Sequence, residues 1–149
     1  MATKKILFPT DFSTAADAGL PEATALARER GAVLVILHVQ EPPAAYGEGV
    51  LYYGVSEPDT EAVMKMLQEI VPPGQDAKYE HRLVMGDPAR EIVRVARQEN
   101  VDMIVMGTHG RSGLSRLIMG SVAESVMRHA PCPVLTYRLS QKTAAESPM

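Results

Sequence analysis

Asp102-Met-Ile-Val-Met-Gly107-Thr-His-Gly110-Arg-Ser-Gly-Leu-Ser-Arg-Leu-Ile-Met-Gly120-Ser-Val-Ala-Glu124 is the stretch on which the reading of this chain turns. Residues 103–106 are an unbroken apolar run, the pattern of a short strand covered on both faces. Glycines follow, and from Ser121 to about His129 the apolar residues return at helical spacing. Ser121-Val-Ala-Glu124 has the spacing of a capping box, which predicts Ser121 as the helix cap and Glu124 as its acidic partner. A glycine loop thus leaves the carboxyl end of a strand and enters a helix.

The same alternation extends in both directions. Residues 5–8 read as a strand that Pro9-Thr10-Asp11 breaks. From Thr14 to Arg30, Ala16, Leu20, Ala23 and Ala27 sit at helical spacing and Gly31 supplies a stop. Pro21 inside that pattern predicts a kink, or a helix whose regular part begins near it. Residues 33–39 are apolar except His38, as in a buried parallel strand. Residues 40–57, with three tyrosines and several glycines and prolines, read as a long loop. A helix is expected over 59–70, stopped by Pro72-Pro73-Gly74. Residues 77–85 alternate, which suggests a strand near a sheet edge. Asp87-Pro88 predicts a capped helix start, running to about Asn100 and burying Ile92, Val93 and Ala96. Pro131-Cys132-Pro133 ends the last helix, and Val134 to Tyr137 form the last strand. The tail 140–149 reads as disordered.

Five strands separated by helices predict a single-domain α/β fold over residues 1–139. Its sheet is five-stranded and parallel with helices on both faces, because parallel neighbours need crossover connections. Ligands of such folds bind beyond the carboxyl ends of the strands, where the strand order reverses. The loops after Phe8, Val39 and Met106 are therefore the ones to watch.

Composition narrows the function classes. A chain of 149 residues has room for one domain. A net charge of −3 without a long basic run argues against nucleic acid as partner. The lone Cys132 excludes an internal disulfide and fits a reducing compartment. The apolar run near the N-terminus is too short for a signal peptide, and no stretch of about 18 apolar residues exists to span a membrane. A cytoplasmic, soluble protein is expected.

A helix N-terminus exposes unpaired N–H groups and carries partial positive charge, so the loop before Ser121 is a candidate anion site. Glycines at 107, 110 and 120 let the backbone approach a phosphate closely. Ser121 can donate a hydroxyl, and Arg111 or Arg116 can add charge. The other reading is that the glycines only shape a surface loop. Neither G-x-x-x-x-G-K-[ST] nor G-x-G-x-x-G is present.

Gly107 and Gly110, then nine residues, then Gly120-Ser121 form a G-x-x-G, G-[ST] pattern that resembles the ATP-binding type of the universal stress protein family. The resemblance covers about residues 2–138. It includes Pro9-Thr10-Asp11-Phe12-Ser13, Leu37-His38-Val39, Gly86-Asp87-Pro88 and Pro131-Cys132-Pro133-Val134. It implies an adenine nucleotide alpha hydrolase-like, Rossmann-like fold and ATP as ligand, with Mg2+ carried by the phosphates. By the same resemblance Asp11 and the backbone of Val39 meet the base, and Pro9 and Thr10 shape the wall. Met106 and Gly107 border the ribose, while Gly110, Gly120, Ser121 and Val122 hold phosphates, with His109 and Arg111 as neighbours. The family further implies a homodimer through Val134–Tyr137.

Single side chains also have plainer roles. Asp11 could cap or turn the chain, but with Ser13 available as cap the ligand role is preferred. His38 reads as a satisfied strand-end histidine, and Met103, Met106 and Met119 as core or pocket wall. The histidines and cysteine lack metal-ligand spacing, and no G-x-S-x-G elbow presents a nucleophile. Without a placed general base, hydrolysis should be slow. The expectation is an ATP-binding regulatory module with an unidentified protein partner. The alternatives are a weak ATPase or nucleotide-transfer enzyme, and an interaction module that lacks ATP or binds cyclic AMP.

Overall fold

Runs of β-branched and apolar residues between capped helices give nine elements in strict alternation. The computed structural model describes residues 4–42, 60–108 and 120–137. In chain order the elements are β1 (Lys5–Pro9), α1 (Thr14–Arg30), β2 (Val33–Gln40), α2 (Thr60–Gln68), β3 (Lys78–Met85), α3 (Pro88–Gln98), β4 (Met103–Gly107), α4 (Ser121–His129) and β5 (Val134–Tyr137). The five strands pair in parallel in the order β3-β2-β1-β4-β5. The expected α/β class, parallel sheet and edge position of residues 77–85 are all present. Of the loop expected over 40–57, Gln40 instead belongs to β2, where it continues the ladder with β3; residues 43–57 and the tail 140–149 lie outside the described residues.

Alternation along the strands divides the core in two. Ile6, Phe8, Leu34, Ile36 and Val105 face Ala23, Ala27 and Leu67 of α1 and α2. Leu7, Val35, Leu37, Ile104 and Met106 face Ile92, Val93, Ala96, Ala123 and Val126 of α3 and α4. Helices therefore cover both faces, which is why the central strands are apolar throughout.

Local chemistry sets the helix ends. Ser13 Oγ accepts the Ala16 N–H at the start of α1, and Gly31 in the left-handed region (φ 62°) ends it. Pro21 does not delay the helix, which is continuous from Thr14. Asp17, whose carbonyl would have accepted the missing proline N–H, is exposed, so water can solvate that carbonyl. Asp87 Oδ2 accepts the Arg90 N–H with Pro88 in the first turn of α3, as its sequence predicts.

Candidate functional site

In the order β3-β2-β1-β4-β5 the chain builds outward from β1 on one side and then crosses to β4 on the other. The switch point lies between β1 and β4, where the connections leave to opposite faces and where folds of this kind bind ligands in a crevice beyond the strand tips.

On the β1 side of the crevice the chain turns tightly. The Thr10 N–H donates to the Leu37 carbonyl (2.8 Å), and Thr10 Oγ1 accepts the Phe12 N–H (3.0 Å). Asp11 Oδ1 accepts the Ser13 N–H (2.9 Å), so this carboxylate does form a turn, and Ser13 takes the cap. Phe12 sits at φ 66°, held there by these two side-chain bonds. Below the turn the buried His38 lies with Nδ1 2.8 Å from the Thr10 carbonyl and its ring 4.2 Å from that of Phe12. A carbonyl can only accept, so Nδ1 carries the proton. His38 is the satisfied strand-end residue its surroundings suggested.

On the β4 side, the Thr108 N–H donates to the Tyr137 carbonyl (2.9 Å), and the Gly120 N–H donates to the Thr108 carbonyl (2.7 Å). The second bond pins the start of α4 against the tip of β4. The predicted capping box does not form. Gly120, extended at φ −64° and ψ 150°, is the N-cap, and its carbonyl accepts the Glu124 N–H. Ser121 is already helical, one residue too late to cap, and Glu124 pairs with Arg128 at 3.2 Å. Among the described residues no side chain caps α4, which leaves its first amides as candidates to meet an anion.

Among the sequence-predicted site residues, Pro9, Thr10 and Asp11 come together at the β1 tip, and Gly107, Gly120, Ser121 and Val122 at the β4–α4 junction. Met106 and Val39 are buried in the core beneath α3 and α4, so their side chains are committed and only their main chain can meet a ligand. His109, Gly110, Arg111 and Arg116 lie outside the described residues.

Two neighbours escaped the sequence reading. Tyr137 at the end of β5 lies over Gly19, where a Cβ would overlap its ring, and its hydroxyl donates to the Ala16 carbonyl (3.3 Å). Burial, with Asp11 and Asp17 nearby, pushes its phenol well above the usual tyrosine range. Gln40, the last residue of β2, is buried, and its side-chain oxygen has no hydrogen-bond partner among the described residues. The available signal was a second polar residue, after His38, closing a strand that is otherwise apolar. Among the described residues no group of three or more His, Cys, Asp or Glu could hold a metal, and no helix is long and apolar enough to cross a membrane.

Comparison with known proteins places this geometry. The universal stress protein family model matches residues 2–138. A universal stress protein of Methanocaldococcus jannaschii is 31% identical over 91% of this chain and 94% of its own length. Among solved structures, the universal stress protein UspA of Lactobacillus plantarum superposes with a TM-score of 0.74 at 29% identity, covering 93% of this chain and 100% of that one. At 24% identity and a TM-score of 0.65, the universal stress protein from Archaeoglobus fulgidus in complex with dAMP shares the fold over 91% of this chain and 97% of its own.

Proposed function

Because the chain belongs to the universal stress protein family, we propose that it is an ATP-binding regulatory module acting as a cytoplasmic homodimer in a stress response. The observation that carries the reading is the α4 N-terminus: without a side-chain cap and tied by the Gly120–Thr108 bond to the β4 tip, it presents its first amides at the switch point. Gly120, Ser121 and Val122, with His109, Gly110 and Arg111, hold the phosphates. Met106 and Gly107 border the ribose with their main chain. The rigid Pro9-Thr10-Asp11 turn and the backbone of Val39 receive the base. The A. fulgidus neighbour holds dAMP, so this fold accommodates an adenine nucleotide in at least one other protein.

Mg2+ would travel with the triphosphate, held chiefly by phosphate oxygens, as small hard cations are. The function is one of occupancy rather than turnover, with nucleotide biasing the surface contacts through which a protein partner is engaged. The test is a Gly120→Val, Ser121→Ala double variant titrated with ATP by calorimetry. A side chain at the cap fills the space a phosphate needs, so affinity should fall at least about tenfold while the melting temperature stays close to wild type. Unchanged affinity discards the site.

A further inference from the structure

Gln40 is 7% exposed, yet among the described residues its Oε1 has no hydrogen-bond partner, the one buried side-chain polar atom so placed. Buried polar atoms in native folds are paired almost without exception, because an unpaired one forfeits its hydration for nothing. An orphaned acceptor at the edge of a binding crevice is explained by a ligand that brings the donor.

The position of Gln40 supports that explanation. The last register pair of β1 and β2 is Pro9 with Leu37, so His38, Val39 and Gln40 run past the end of β1. His38 and Gln40 are two residues apart and share one face of the strand. His38 is already engaged there by Thr10 and Phe12 of the β1–α1 turn, which places Gln40 just beyond that turn. Its backbone is fixed from the other side, where its carbonyl accepts the Gly86 N–H (2.9 Å). Adjacent strands are about 4.8 Å apart, so the tip of β2 lies roughly 10 Å across the sheet from β4. A nucleotide whose phosphates meet the start of α4 therefore carries its base toward β2.

We infer that the Gln40 carboxamide reads the base, its oxygen accepting a hydrogen bond from an exocyclic amine and so selecting a 6-aminopurine over a 6-oxopurine. The inference rests on the nucleotide-binding reading and adds a specificity residue to it. A 6-oxo group would set a second acceptor against the Gln40 oxygen, so discrimination comes from repulsion as well as from the bond gained.

Wild-type protein and the Gln40→Met variant are titrated with ATP and with ITP, whose base carries oxygen in place of the amine, and each is melted without nucleotide. Wild type should prefer ATP by about tenfold or more. Gln40→Met should lose about tenfold in ATP affinity, bind ITP more tightly than wild type does because the opposing acceptor is gone, and melt higher than wild type because the orphaned oxygen is removed. Gln40→Asn, with a shorter amide, should also lose the ATP preference but without the rise in melting temperature. Equal wild-type affinities for ATP and ITP, an unaltered ATP preference in Gln40→Met, or a lower melting temperature in that variant each overturn the inference while leaving nucleotide binding intact. A wild type that binds neither nucleotide overturns the binding reading and this inference together.

Discussion

Asp87 and Ser121 present the same local signal, a capping side chain ahead of an apolar helix, yet only Asp87 caps. Asp87 Oδ2 reaches the Arg90 N–H, whereas Gly120 takes the capping position from Ser121. Gly120 is drawn there by its bond to Thr108, a contact that spacing within the helix cannot reveal. Glu99 is a second residue whose role depends on distant partners. Burial raises its carboxyl, but hydrogen bonds from Arg82 (2.9 Å) and Lys5 (3.1 Å) outweigh that and hold it below the ordinary glutamate value. A depressed folded value means the stabilisation is present above the unfolded value of about 4.3 and is lost as pH falls through the folded one. Glu99→Gln should therefore destabilise the protein at pH 7, by about 1 kcal/mol on the scale of partly exposed ion pairs. The gap between variant and wild type should close as urea melts are repeated toward pH 3. A gap constant with pH would remove the ion pair from the account.

At the scale of elements, α1 is legible from its spacing, its Ser13 cap and its Gly31 stop. Its relation to β5 is not. Tyr137 crosses from the end of β5 to lie against Gly19 and bonds the carbonyl of Ala16, clasping the last strand to the first helix. In an isolated helix, replacing glycine by alanine stabilises by up to about 1 kcal/mol. Here the added methyl would displace the Tyr137 ring, so Gly19→Ala should instead destabilise by about 1–3 kcal/mol, the usual range for overpacking. In a Tyr137→Ala background the same change should regain its stabilising sign. Chemical denaturation of the four proteins of this cycle checks both, and additive effects would mean that the ring does not occupy this place.

For the whole molecule, the strand order leaves β3 and β5 at the edges. Leu135 is among the exposed large apolar residues, and it lies on β5. Exposed edge strands tend to pair with another chain unless charge or shape prevents it. The proposed homodimer uses this edge, and Pro133 just before it is placed where a strand tolerates proline. Leu135→Glu should shift the protein from dimer to monomer in sedimentation velocity, with its far-UV circular dichroism unchanged. A wild type that sediments as a monomer at tens of micromolar would discard the dimer.

What the sequence by itself determined is the alternation of strand and helix, hence a parallel α/β sheet, and the glycine–serine pattern on which the proposed binding loop rests. These are local properties: hydrophobic period, cap chemistry and turn residues act within a few positions of one another. Tertiary structure alone decided that Gly120 rather than Ser121 caps α4, that Met106 turns its side chain into the core, and that Tyr137 packs on Gly19. It also left the Gln40 oxygen without a hydrogen-bond partner among the described residues. Each of these depends on contacts across the sheet or between its layers, where the partner is chosen by register and crossover and no spacing along the chain records the outcome.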